Sequence, residues 1–226
     1  MDTLKGEYSP KIWDSFFIAE DRGRYPSEDL VRFIMNRYKK NNDRSHITIL
    51  DLGCGEGPNI RFLQREGFNS IGVDGSFVAL QNNKAITQAE KMDYKLVNAD
   101  FTQLPFKKES IDCIIEISAL QHNTFSVLRL IIINQIYDLL KKGGAFFSFC
   151  LKKGSCGYGN GEQIEENTFY NIKDSFCKSG GYAHFFTKKE LLTLYGKFTH
   201  LSIDSIERTF RNGKYFWKHW IVSAQK

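Results

Sequence analysis

The 226-residue chain predicts an α/β domain: a doubly wound, seven-stranded, mostly parallel sheet closed by a C-terminal antiparallel hairpin. Three observations carry this expectation. Short aliphatic and β-branched runs alternate with segments of helical periodicity, the pattern of successive βαβ units. The first run, Thr48–Leu52, breaks at Gly53, Gly55 and Gly57, where a backbone without Cβ atoms can turn sharply and come close to a ligand. Near the end, Asn212-Gly213 separates two strand-like runs, 198–210 and 214–224, a strong hairpin signal.

In chain order, residues 8–20 and 27–40 read as helices ahead of the sheet. In the second, Leu30, Phe33, Ile34, Arg37 and Tyr38 recur at helical spacing behind Pro26, with Ser27-Glu28-Asp29 in the first turn. After the glycine turn, Pro58 suits the first position of a helix, because its missing N–H would be unpaired there. Ile60, Phe62 and Leu63 form that helix's apolar side and Gly67 closes it. Ser70–Val73 is the second strand and ends on Asp74. Ser76 caps a helix to about Met92, and Tyr94–Asn98 is the third strand. Gln103-Leu104-Pro105-Phe106 leads into a fourth, ending near Glu116. Thr124–Lys142 reads as a helix stopped by Gly143-Gly144, and Ala145–Leu151 as a strand buried on both faces. The glycine-rich stretch 152–168 reads as a long loop, and loops of that length in a compact domain are functional or disordered. Thr187-Lys188-Lys189-Glu190 has the spacing of a capping box.

Composition narrows the class. Hydrophobic residues at 42% and charged residues at 25% describe an ordinary globular domain. No apolar run has membrane-spanning length and residues 1–20 carry charges, so neither a membrane span nor a signal peptide is expected. The five cysteines, at 54, 113, 150, 156 and 177, form no C-x-x-C pair. Reduced thiols in a cytoplasm are therefore expected, with no zinc or other metal site. The formal charge of +5 is modest and its lysine pairs are dispersed along the chain. No basic, aromatic-interleaved stretch is visible, which argues against nucleic acid as a partner.

The glycine turn begins at an acid, Asp51, and lacks the G-x-G-x-x-G spacing of dinucleotide sites. An acid there would repel a pyrophosphate but suits an ammonium or sulfonium group. Asp74, ending the next strand, is placed to accept hydrogen bonds from a ribose diol. From Ile47 to the C-terminus the chain resembles the class I S-adenosylmethionine-dependent methyltransferases, whose Rossmann-like sheet ends in the same hairpin. The resemblance implies S-adenosyl-L-methionine as cofactor and S-adenosyl-L-homocysteine as product. It places Asp51, Gly53, Gly55, Gly57, Asp74 and Gly75 around the cofactor, with Asp100 and Phe101 at the adenine and Glu116 and Arg24 nearby. It also implies a helical lid over 1–46, a cofactor-binding core over 47–151, a substrate-side flap over 152–186, and a helix with the hairpin over 187–226. Trp13, Phe16, Arg24 and Tyr25 are lid contacts on this reading, although Trp13 and Phe16 could simply pack their helix onto the sheet.

Methyl transfer to an alcohol needs a general base, whereas an amine need only arrive deprotonated. His122, just beyond the fourth strand, is the candidate base; it could equally bond its own loop. Tyr25, Gln121, Tyr158 and His184 are the candidate acceptor contacts, and His184 lies in an aromatic run that also suits a structural role. No Asn-Pro-Pro-aromatic tetrapeptide follows the fourth strand, which counts against methylation of nucleobase exocyclic amines. A small methyl acceptor is expected, phosphorylated or nucleotide-linked if Lys152, Lys153, Arg208, Arg211 and Lys214 hold it. An RNA or protein methyltransferase, or a non-catalytic cofactor-binding partner subunit, remain alternatives. The chain is expected as a monomer or homodimer.

Overall fold

A computed structural model describes residues 10–19, 25–123, 125–172 and 181–226. Two helices lead, α1 (Pro10–Ala19) and α2 (Glu28–Arg37). They are followed by β1 (Thr48–Leu52), α3 (Pro58–Arg65), β2 (Asn69–Asp74), α4 (Phe77–Ala89) and β3 (Lys95–Asn98). β4 (Ile111–Ile117), a 3-10 turn (Leu120–His122), α5 (Ser126–Leu139) and β5 (Leu140–Leu151) come next. The chain closes with β6 (Glu162–Glu165), β7 (Thr168–Tyr170), β8 (Tyr182–His184), α6 (Lys188–Leu194), β9 (Thr199–Phe210) and β10 (Tyr215–Gln225). Seven strands form one sheet in the order β3-β2-β1-β4-β5-β10-β9. β10 runs antiparallel to both neighbours, and the other ladders in this sheet are parallel. No described helix is long and apolar enough to cross a membrane.

The caps expected at Ser76 and Thr187 form, and Ser27, expected within the first turn, is itself the cap of α2. Ser27 accepts from the Leu30 N–H, Ser76 from Ala79 and Thr187 from Glu190. Each satisfies a backbone donor that the first helical turn leaves unpaired. Two apolar layers fill the two faces of the sheet. On one, Leu50, Leu52, Ile114 and Phe146 meet Ile132, Ile133 and Ile136 of α5. On the other, Ile49, Ile115 and Phe147 meet Leu30 and Ile34 of α2 and Leu63 of α3. These side chains alternate along the strands because successive residues point to opposite faces.

Two boundaries depart from expectation. α5 ends at Leu139, and Leu140 already pairs with Ile111; the ladder resumes only at Cys113–Ala145. Lys141 to Gly144 thus form an irregularity within β5, where Gly143 adopts φ +77°. The Gly143 N–H donates to the Lys226 carbonyl and the Lys226 N–H to Gly144, so pairing with the C-terminus overrides local helical preference. Nor is 152–168 loop throughout: β6, β7 and β8 form a separate three-stranded sheet, with Asn167 turning at φ +58° between β6 and β7.

That small sheet is pinned to the core by a buried ionic cluster. Arg129, 2% exposed, lies 2.9 Å from Glu165 and 3.6 Å from Glu190. His184 donates from Nε2 to Glu190 at 2.8 Å and receives the Thr168 hydroxyl at Nδ1, 2.7 Å away. Burial holds His184 below the ordinary histidine range, against the opposing pull of Glu190. The Glu190 carboxylate serves these partners, while the capping contact to Thr187 comes from its backbone N–H.

Candidate active site

The chain order reverses between β1 and β4: β2 and β3 lie to one side of β1, β4 and β5 to the other. At such a point the loops leaving the strand ends diverge and open a crevice. Asp51, Asp74 and Glu116 lie at the carboxyl ends of β1, β2 and β4. Gly53, Gly55 and Gly57 turn with φ of +80°, +50° and +82°, values that any other residue adopts only under strain. The expected close approach is made in part by the protein itself. A Cβ at Gly53 would lie 2.2 Å from that of Ala119, and one at Gly57 would lie 2.5 Å from Asn83. Gly55 faces the Phe17 ring instead, which a Cβ there would meet at 3.3 Å.

The three acids have different environments. Both Asp74 oxygens hold the turn: Oδ2 accepts from the Gly55 N–H and Oδ1 from the Ser76 N–H, each at 2.8 Å. Burial raises its pKa, opposed by those N–H donors. Glu116 Oε1 accepts from the Ala119 and Leu120 N–H groups, and Oε2 from the Ser148 hydroxyl. Asp51 differs. Its Oδ1 receives only a long 3.4 Å bond from Asn59, and its Oδ2 is sealed from solvent with no partner. Burial pushes its carboxyl up to about 7, with smaller contributions from the charges of Asp74 and Glu116.

Helix α1 roofs this crevice. Asp14 Oδ1 accepts from the Ser76 hydroxyl at 2.6 Å and the Val78 N–H at 3.3 Å, placing an anion at the N-terminus of α4. The Phe17 carbonyl accepts from Asn82, and the Trp13 ring meets His122 edge-on at 4.5 Å. One helix thus spans the glycine turn and the 3-10 turn. His122 Nδ1 lies 2.8 Å from the Tyr182 carbonyl oxygen. A carbonyl only accepts, so Nδ1 carries the proton and Nε2 is an acceptor, 3.4 Å from the Gln121 amide nitrogen.

Several expected contacts are placed elsewhere. Glu116 has both oxygens committed to the turn after β4 and to Ser148, so it acts as a strut under the site. Gln121 is buried with its carbonyl accepting from the Leu151 N–H. His184 belongs to the ionic cluster, with both ring nitrogens engaged. Tyr158 packs edge-on against Phe169 and Phe185 and donates to Asn167. These four serve the interior because each satisfies buried polar groups there. Phe101 is buried, its ring reaching within 3.6 Å of where a Gly53 Cβ would stand. Asp100 is exposed and accepts from the Thr102 N–H and hydroxyl. The Gly75 carbonyl accepts from Asn98. Phe16 is buried and Tyr25 projects into solvent at 81% exposure. Arg24 lies outside the described residues. Asp14, Phe17, Asn82 and Asn83 were not anticipated; an acid within the aromatic run of α1, Trp13-Asp14-Ser15-Phe16-Phe17, was the available signal.

A left-handed glycine turn between acid-ended parallel strands, roofed by a helix and followed by an antiparallel hairpin, defines a nucleoside-seating α/β domain of the methyltransferase type. Residues 49–144 match the family model described as a methyltransferase domain. Two curated relatives are the sterol 24-C-methyltransferase of Pneumocystis carinii, 31% identical over 105 residues, and the tRNA (carboxymethyluridine(34)-5-O)-methyltransferase of Saccharomyces cerevisiae, 27% identical over 169. These alignments cover 45% and 72% of this chain, but only 27% and 55% of those relatives. A SAM-dependent methyltransferase from Methanosarcina mazei shares the fold with a TM-score of 0.70 at 21% identity, over 85% of this chain and 96% of that one. In fold, and in sequence over residues 49–144, the chain is similar to the class I S-adenosylmethionine-dependent methyltransferases.

The residues present fit the cofactor of that family. A sealed carboxylate oxygen without a partner is destabilising unless a group of opposite sign is brought to it. A sulfonium or ammonium group has that sign. Asp74 retains lone pairs beyond those used by Gly55 and Ser76, enough to receive hydroxyl donors. Asp74→Ala is expected to remove saturable S-adenosylmethionine binding in a calorimetric titration. The same change is expected to cost about 1–3 kcal/mol of stability, because the Gly55 and Ser76 N–H groups lose their acceptor. Wild-type affinity in that variant would remove Asp74 from the site.

Proposed function

We propose that the protein transfers a methyl group from S-adenosylmethionine to an oxygen or nitrogen atom of an anionic, nucleotide-containing acceptor. The observation that carries this is the unpartnered Asp51 Oδ2 beneath the glycine turn, with the His122 ring under the same roof helix. The cofactor supplies a methyl group made electrophilic by its sulfonium centre. Asp51 would hold its cationic end, Asp74 its ribose hydroxyls, and Asp100 with Phe101 its adenine. Trp13 and Phe17 of α1 exclude water from above. His122 would take the acceptor's proton at Nε2, with the Tyr182 carbonyl holding the resulting imidazolium through Nδ1–H.

A small phosphorylated or nucleotide-linked metabolite is one acceptor of this kind. The second reading, a nucleotide within RNA, is favoured by the likeness to the yeast tRNA methyltransferase, which extends over 72% of this chain. The test is to incubate the protein with methyl-labelled cofactor and, separately, a metabolite extract and total RNA. Label is expected in one fraction, and its loss in His122→Gln ties it to this site. Label in neither, with cofactor binding intact, would favour a non-catalytic subunit.

A further inference from the structure

We propose that Arg129 is a positioning residue for His122, holding at once the turn that carries the imidazole and the small sheet whose carbonyl orients it. This role rests on the proposed reading of His122 as the base, but the orientation of the ring is measured without an acceptor.

The buried guanidinium joins elements that are distant in sequence. Its Nη1 donates at 2.9 Å to the carbonyl of Asn123, the residue that follows His122. Its Nη2 lies 2.9 Å from Glu165 of β6 and 3.6 Å from Glu190 of α6. Glu165 also accepts from the N–H of Ser126, the first residue of α5, at 3.1 Å. Glu190 meets His184 of β8 at 2.8 Å. Two residues back along that strand is Tyr182, whose carbonyl oxygen lies 2.8 Å from His122 Nδ1. Thr168 of β7 stands opposite His184 in the ladder and donates its hydroxyl to the same ring. Arg129 thus reaches His122 by two routes, through the backbone of its own turn and through β8.

The start of the turn is anchored separately, by Glu116 at the Ala119 and Leu120 N–H groups and by Gln121 at the Leu151 N–H. Arg129 holds its end. The residue type suits the task. A guanidinium presents five N–H donors in a planar fork, so one buried group holds a carbonyl and two carboxylates in fixed directions, whereas an ammonium is a point charge on a flexible stem. A buried ion pair stabilises a fold no more than well-packed apolar side chains of the same volume, and its best-attested use is to fix a register. The register fixed here is that of β8 against the His122 turn. Which ring nitrogen of a histidine carries the proton is set by the bond its other nitrogen makes, so the Tyr182 carbonyl selects one tautomer only while β8 is held in place.

The test is a multiple-bond proton–nitrogen NMR spectrum of the histidine rings of the full chain, recorded above the ordinary histidine pKa range so that the rings are neutral. The spectrum distinguishes the two tautomers, and His122→Gln assigns the signal. Arg129→Lys keeps the charge and loses the fork. Arg129→Met/Glu165→Gln/Glu190→Gln removes both signs of charge together, so that no lone ion is left buried. Ile133→Ala, one turn further along α5 in the apolar core, is the control that loosens the helix without touching the turn. The wild type is expected to show the proton on Nδ1 of His122, and both Arg129 variants the averaged pattern of two tautomers. Ile133→Ala is expected to keep the wild-type pattern despite its lower stability. With an acceptor in hand, Arg129→Lys is expected to lower kcat about tenfold and to change cofactor affinity less than about twofold. A proton that stays on Nδ1 in both Arg129 variants, an averaged pattern in Ile133→Ala as well, or an averaged pattern in the wild type would each overturn the proposal. A fixed tautomer lost with Arg129 would uphold it even if no acceptor took up label, whereas a fixed tautomer indifferent to Arg129 would end the positioning role and leave methyl transfer standing.

Discussion

Asp51→Asn is expected to make the ligand-free protein more stable above neutral pH and to abolish its cofactor binding. The two effects have one origin. Asp51 is fully buried, one oxygen has no partner, and its carboxyl is pushed from an ordinary 3.8 up to about 7. A carboxyl whose folded pKa exceeds its unfolded one favours the fold fully below the unfolded value. That contribution is lost as pH rises through the folded value. Wild-type thermal stability should therefore fall as pH is raised from about 4 to 8 relative to the Asn variant, by on the order of 4 kcal/mol at most. Binding moves the other way, because a cationic ligand brought to that oxygen supplies the missing charge. Losing the anion should weaken S-adenosylmethionine binding by about 100-fold or more. Melting curves across pH and calorimetric titration of both proteins check the pair. A destabilised variant that still binds would make Asp51 an ordinary core residue.

His122→Gln is expected to lower kcat by about 10²–10⁴ once the acceptor is in hand, with cofactor affinity changed less than about twofold. On the proposed reading, the Tyr182 carbonyl fixes the proton on Nδ1 and Nε2 is the base. A lowered kcat with cofactor affinity kept distinguishes this from a loss of packing against Trp13, which would weaken both. An unchanged kcat would indicate an acceptor that arrives already deprotonated.

Local chemistry made much of this fold legible. The Asp51 turn, Asp74, Pro58, the caps at Ser76 and Thr187 and the Asn212-Gly213 hairpin each depend on neighbours a few residues away. What could not be read depends on partners distant in sequence. Glu116 has the residue type and strand position of a ligand contact, and only the fold shows Ala119, Leu120 and Ser148 consuming its oxygens. Asp14 acts through Ser76 and Val78, more than sixty positions away. Leu140 reads as helix and becomes strand because Ile111 pairs with it. β6 to β8 are three or four residues each, too short for an alternating pattern to stand out.

Calorimetric titration of the unmodified protein with S-adenosylmethionine and, separately, with a nicotinamide dinucleotide bears most directly on the seat formed by Asp51, the glycine turn and Asp74. One saturable site per chain for the methyl donor, and none for the dinucleotide, is the expected result. Saturable dinucleotide binding without donor binding would contradict it.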